Sequence, residues 1–153
     1  MSQAIEKARA LLRNRTTYGV GLLQARAYRV LKERTDQVLA PYGITSVHWA
    51  FLGLLHEHRK GMRLNEAARE LAVEAPFVTT LANHLSKKGW LETNPDPRDS
   101  RAKCAVLTKE GHAFVKTTEA LVRSQMRSAL GSTSMSDLLS YLLVLEEIVN
   151  ANP

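Results

Sequence analysis

Cysteine is almost missing from this chain of 153 residues, which has only Cys104. A lone thiol closes no internal disulfide, which excludes a stapled secreted scaffold and suits a reducing cytoplasm. Long apolar runs are missing too. The most hydrophobic stretches, Trp49 to Leu55 and Tyr141 to Leu145, fall far short of the ~18 residues that span a bilayer. The opening MSQAIEKARALLRNRTTYG mixes charge throughout, so the expectation is a cytoplasmic protein with no signal core and no membrane partner. Internal repeats, low-complexity tracts and long linkers are absent, and residues 1–153 are expected to form a single domain. No phosphate-cradling glycine loop, nucleophile elbow or metal-binding histidine pair occurs, so nothing points to an enzyme. His48, His56, His58, His84 and His112 lack zinc-site spacing, and no metal or other cofactor is expected. His56 and His58 read as surface residues.

What the chain does have is the balance of one ordinary globule, with 44% hydrophobic and 24% charged side chains. A chain this long buries roughly two-thirds of its unfolded surface without a staple. The formal net charge is +6. Residues 1–58 hold eight basic and four acidic groups, residues 59–103 nine and six, and residues 104–153 four and five. The excess therefore lies in the first two-thirds, and such an excess favours polyanions because each neutralised phosphate releases counterions.

Most of the chain reads as helix. From Tyr18 to Leu39, Val20, Leu23, Ala27, Val30, Leu31 and Val38 recur at helical spacing until Pro41-Tyr42-Gly43 ends the segment. Thr45 or Ser46 then caps a second helix with Val47, Phe51, Leu52, Leu54 and Leu55 on its apolar side. A short third helix runs near Asn65 to Leu71. A fourth starts around Pro76, suited to a first helical turn, and stops at Gly89. Two short strands follow, Trp90 to Thr93 and Lys103 to Leu107, separated by a turn-forming segment from Asn94 to Ala102. Thr108 caps the next helix, and Gly131 to Ser134 separates it from a final one that reaches about Asn150. The fold class expected is mainly α with a small β-hairpin wing.

Helix, helix, sharp turn, helix, hairpin is the order of a winged helix-turn-helix. At about 100° per residue, Val78, Leu81, Ala82 and Leu85 form one apolar stripe of the fourth helix. Pro76, Thr80, Asn83 and Lys87 lie opposite, flanked by Phe77, Thr79 and His84. Small residues, hydrogen-bonding tips and a cation suit entry into a major groove, with Asn83 matched to adenine and Phe77 to a thymine methyl. An ordinary amphipathic surface helix would carry the same pattern. The hairpin tip adds Arg98, Arg101 and Lys103 beside Asp96 and Asp99. Extended arginines reach phosphates or a narrow minor groove, and Asp99 is expected to pin an arginine by a charged hydrogen bond. Alone, a charged hairpin is simply solvated.

The last helix carries Leu138, Leu139, Tyr141, Leu142, Leu143, Val144, Leu145, Ile148 and Val149 around nearly its whole circumference. A helix apolar all round must be covered on several sides. A second subunit is the expected cover, with Leu138, Leu142, Leu145 and Val149 as the dimerisation residues. Burial within one chain is the alternative.

The stretch LNEAARELAVEAPFVTTLANHLSKKGWLETNPDPRDSRAKCAVLTKEG resembles the MarR family of bacterial transcriptional regulators. The resemblance rests on Leu85, Gly89 and Trp90 closing the recognition helix, on Asp99-x-Arg101 in the wing, and on Leu107-Thr108-x-x-Gly111. It implies a homodimer with N- and C-terminal dimerisation helices, at 1–40 and 108–153, and a winged helix-turn-helix at 45–107. It also implies binding of double-stranded DNA at an inverted-repeat operator, and repression relieved by a small aromatic or anionic effector. Tyr18, Leu22, His48, Trp49 and Leu52 come from the two helices that, by resemblance, line the effector cleft; core and hinge roles are the alternative. The chain departs from the family pattern at Glu74, where a capping Ser or Asp is usual, at Phe77 and at Thr80, where Arg is frequent. Two further readings stand beside the repressor: a winged-helix protein-interaction module, and a redox-responsive regulator using Cys104, whose wing-strand position suits a buried inert thiol better.

Overall fold

Pro41 and Gly43 break the first long helix as their chemistry requires. In the computed structural model, which describes residues 17–96 and 99–151 together with Glu6, Arg9, Ala10 and Arg13, α1 spans Thr17–Leu39. A 3-10 turn at Ala40–Tyr42 follows, closed by Gly43 at φ 66°. Helix α2 covers Ser46–Glu57, with Thr45 as its extended N-cap residue. Asp36 accepts the Ser46 backbone N–H at 2.6 Å, which ties the end of α1 to the start of α2.

Strand β1 (Met62–Arg63), helix α3 (Leu64–Glu70) and helix α4 (Ala75–Lys87) come next. The sharp turn between α3 and α4 holds Ala72 at φ 51°. Strands β2 (Leu91–Asp96) and β3 (Asp99–Leu107) form the wing, then α5 (Lys109–Leu130) and α6 (Met135–Asn150) complete the chain. The hairpin expected from sequence is thus part of a three-stranded antiparallel sheet ordered β1-β3-β2. Both wing strands also run into the segment read as turn: Asn94 pairs with Cys104, Pro95 with Lys103 and, past an irregularity, Asp96 with Asp99. Proline is tolerated because β2 is an edge strand.

The core gathers Phe51, Leu52 and Leu55 of α2, Ala67 and Ala68 of α3, the α4 stripe, and Leu91, Ala105 and Leu107 of the sheet, with Val115 and Val122 of α5. Thr108 caps α5 by accepting the Gly111 N–H at 3.0 Å, and its hydroxyl donates to the Gly89 carbonyl at 2.6 Å. The exit from α4 is thereby fixed to the entry of α5.

Helix α6 corrects one alternative. No residue of it is buried within the chain: Leu142 and Val149 are exposed, and Leu138 and Leu145 are half-buried. Among the described residues, nothing buries a residue of this helix. Tyr18, Leu22, Leu23 and Tyr28 of α1 are likewise exposed. Among the described residues, no single helix is long and apolar enough to cross a membrane.

Candidate nucleic-acid interface

Helix α4 has the two faces that its sequence pattern requires. Val78, Leu81, Ala82 and Leu85 are each 0–1% exposed, while Pro76, Phe77, Thr80, Asn83 and Lys87 are exposed and Thr79 is half-buried. Thr79 and Thr80 donate their hydroxyl hydrogens to the Ala75 and Pro76 carbonyls at 3.3 and 3.2 Å, leaving oxygen lone pairs outward as acceptors. Glu74 makes no side-chain cap bond, as expected of a residue that caps poorly.

Beside α4, Arg63, Asn65, Glu66, Arg69, Thr79, Asp99, Arg101 and Lys103 line a cleft of about 440 Å³ between α3, α4 and the wing. Arg101 and Lys103, two of the cations read from the wing sequence, line this cleft with Thr79 of α4. Arg98 lies outside the described residues. Among the described residues the Asp99 carboxylate accepts the Arg101 backbone N–H at 3.1 Å, which shapes the loop, and the Arg101 side chain is exposed. Arg63, Asn65 and Arg69 escaped sequence reading, because β1 and α3 carry no signal of facing a wing distant in sequence. Arg63 Nε donates to the buried Asp96 carboxylate at 2.6 Å.

The far end of α4 is anchored to the α1–α2 connection. His84 Nε2 lies 3.1 Å from the Gly43 carbonyl, and Lys88 Nζ donates to the Tyr42 carbonyl at 2.8 Å. The His48 and His84 rings pack with centroids 4.8 Å apart. His48 Nδ1 accepts the Thr45 N–H at 3.3 Å and lies 2.9 Å from the Thr45 hydroxyl. Burial, then the neighbouring His84 and Lys88, hold the His48 imidazole below its ordinary value against the opposing pull of Asp36. His56, expected at the surface, is half-buried, and its Nδ1 lies 2.8 Å from that of His112.

The residues assigned to an effector cleft are spread out. Trp49 lines a cavity of about 390 Å³ with Tyr28, Lys32, Thr35, Val47 and Met126 among α1, α2 and α5. Its indole N–H donates to Thr118 Oγ1 at 3.0 Å, fixing the ring. Leu52 is in the core at 0% exposure, Tyr18 and Leu22 are on exposed α1, and His48 caps α2. Among the described residues, no cluster of three or more His, Cys, Asp or Glu gathers for a metal.

The model of the MarR family matches residues 42–102. The transcriptional activatory protein BadR of Rhodopseudomonas palustris is 32% identical over 107 residues, 66% of this chain, which spans 61% of the BadR length. The HTH-type transcriptional repressor Rv2887 of Mycobacterium tuberculosis is 26% identical over 129 residues, covering 84% of this chain and 92% of that one. The MepR–DNA complex of S. aureus superposes with a TM-score of 0.75 at 22% identity, over 90% of this chain and 99% of MepR.

Proposed function

We propose that this chain, whose residues 42–102 match the model of the MarR family, is a ligand-responsive transcriptional repressor that binds an inverted-repeat operator as a homodimer. The observation that carries this reading is the cleft where Arg101 and Lys103 of the wing meet Arg69 of α3 and Thr79, on the flank of the polar face of α4. Residues 45–107 form the DNA-binding part. Thr79, Thr80 and Asn83, with Pro76 and Phe77, meet base edges in the major groove. Lys87, Arg98, Arg101 and Lys103 meet phosphates or the adjoining minor groove. Residues 1–40 and 108–153 pair with a second copy, which covers the exposed apolar residues of α1 and α6. The protein acts in the cytoplasm.

The effector site is the cavity beside Trp49, and a small aromatic anion suits it. Tyr28 and Trp49 offer ring faces, and Lys32 is the cation of the lining. Lys32 also pairs with Asp36 at 2.6 Å, and Asp36 holds the start of α2. An anion that draws Lys32 away loosens this link between the dimerisation helices and the DNA-binding part, which supplies the differential interaction a switch requires.

Fluorescence anisotropy with a duplex selected from a random pool tests the reading. Salt-dependent, sequence-selective binding by a dimer, weakened by an aromatic carboxylate, is expected. Absence of binding at low salt would instead favour a winged-helix protein-interaction module. A promoter reporter reads the direction of regulation, with reduced expression expected. Release from DNA by peroxide, abolished in Cys104→Ser, would transfer the sensing role to the thiol.

A further inference from the structure

Arg63 and Asp96 lie on opposite edges of the sheet, because β3 separates β1 from β2. Arg63 stands opposite Cys104 of β3, and Asn94 of β2 stands opposite the same Cys104 from the other side. The Arg63 side chain therefore reaches across the central strand to a residue two places further along β2, where Nε donates to Asp96 Oδ2 at 2.6 Å. The register shifts between Pro95 and Asp96, and such an irregularity re-aims a side chain. Only 3% of the Asp96 side chain is exposed, against 32% for Arg63. A carboxylate buried that deeply requires paired or hydrogen-bonded surroundings.

Arg63 is held from its other end as well. Its backbone N–H donates to Glu66 Oε2 at 3.3 Å, at the start of α3. The ion pair thus fastens the outer part of the wing to the helix-turn-helix. Beyond β1, the wing is a two-stranded ribbon, and isolated ribbons twist readily. Arg101 and Lys103 ride on that ribbon and face Arg69 and Thr79 across the cleft.

We infer that Arg63 is a positioning residue, which through Asp96 sets the angle between wing and α4 so that both engage one duplex. Its guanidinium serves Asp96, and within the cleft Arg69, Arg101 and Lys103 are left to meet phosphates. The inference rests on the DNA-binding reading above.

Charge supplies the test. Removing a negative charge beside a polyanion strengthens binding if charge alone matters, whereas loss of the brace weakens it. Asp96→Asn, Arg63→Gln and Arg63→Lys are compared with the native chain, each with and without Arg101→Ala, by anisotropy on a selected duplex of about three helical turns. Circular dichroism confirms that each variant is folded. Asp96→Asn and Arg63→Gln are expected to bind several-fold more weakly, with Arg63→Lys restoring most of the loss. In both weakened variants the further penalty of Arg101→Ala shrinks, because a misplaced wing has little contact left to lose. Binding by Asp96→Asn that equals or exceeds native, or losses from Arg63→Gln and Arg101→Ala that simply add, overturns the inference. If Asp96→Asn does not fold, the Arg63→Gln and Arg101→Ala cycle decides alone. A native chain that binds no duplex at low salt removes the DNA-binding reading and this inference with it; the outcomes above, seen with a native chain that binds, remove only the brace.

Discussion

A Cβ on Gly111 would stand 1.9 Å from the carbonyl oxygen of Trp90. That carbonyl also accepts the Thr108 N–H at 3.1 Å, and Trp90 stacks on Phe114 with ring centroids 3.8 Å apart. The motif Leu107-Thr108-x-x-Gly111 is thus a junction where the wing, the exit of α4 and α5 meet. Gly111→Ala forces backbone apart rather than a flexible side chain, and a loss of about 2–3 kcal/mol is expected. Thr108→Ala removes only a cap, at about 1 kcal/mol. Thermal denaturation of the two variants checks the ranking; equal melting temperatures contradict it.

Ala72 carries the one positive φ recorded for a non-glycine among the described residues, 51°. A Cβ in this left-handed region costs about 1–2 kcal/mol, part of which glycine returns as extra freedom of the unfolded chain. Ala72→Gly is therefore expected to stabilise by about 0.5–1 kcal/mol and raise the melting temperature by roughly 2–4 °C. Ala72→Val, with a branched Cβ, lowers it. A melting temperature that falls in the glycine variant refutes strain at this turn.

Stability should depend on pH through His48. Its imidazole is held below the ordinary histidine value, so the unfolded chain binds the proton more readily than the folded one. The contribution is complete above about pH 6.5 and is lost as pH falls below that. Burial is the leading cause; His84 and Lys88 then oppose a charge while Asp36 favours it, and an unprotonated Nδ1 accepts the Thr45 N–H. His112 is shifted the same way, by burial and then by His56, Arg59 and Lys116. Gln accepts the same N–H without titrating, so His48→Gln should keep stability at neutral pH and lose less on acidification. Denaturant midpoints across the pH series decide; an unchanged acid slope excludes His48.

Much of this arrangement was legible in the sequence, for identifiable reasons. The α4 stripe repeats at helical spacing, Pro41 and Gly43 break the backbone by their own chemistry, and Thr108 caps through local bonds. Strand β1 was hidden because two residues have no periodicity, and it exists only through pairing with Ala105 and Cys104. The wing strands were underestimated because Pro95 and Asp96 read as turn formers, and only edge position permits them in a strand. Arg63 and Arg69 join Arg101 by tertiary placement, which no local pattern encodes. The same applies to the cavity beside Trp49, which Tyr28 and Lys32 line only because of how α1 crosses α2.

Leu142 tests the assembly. It is 47% exposed on a helix with no buried residue, so Arg at that position does little to an isolated chain. Placed against a second copy, the same change buries an unpaired charge. Leu142→Arg is expected to sediment as a folded monomer with a native-like circular dichroism spectrum and weakened operator binding. A variant that remains dimeric places the interface elsewhere.

The polar face of α4 and the cleft beside it carry two kinds of side chain, and mutation should separate their roles. Arg69 and Arg101 line the cleft as cations, so replacing either with Ala is expected to weaken binding to selected and random duplexes alike. Each loss should flatten the slope of log affinity against log salt by about 0.9, one phosphate contact. Asn83 is exposed on the polar face of α4 and uncharged. Asn83→Ala should leave the salt slope intact and cost about 1–3 kcal/mol only on the selected duplex, by relaxing preference at one base pair. Titrations of the three variants on both duplexes over a salt series provide the measurement. Equal losses for Asn83→Ala on both duplexes would assign its amide to the backbone. An unaltered slope for Arg101→Ala would take the wing out of contact with DNA.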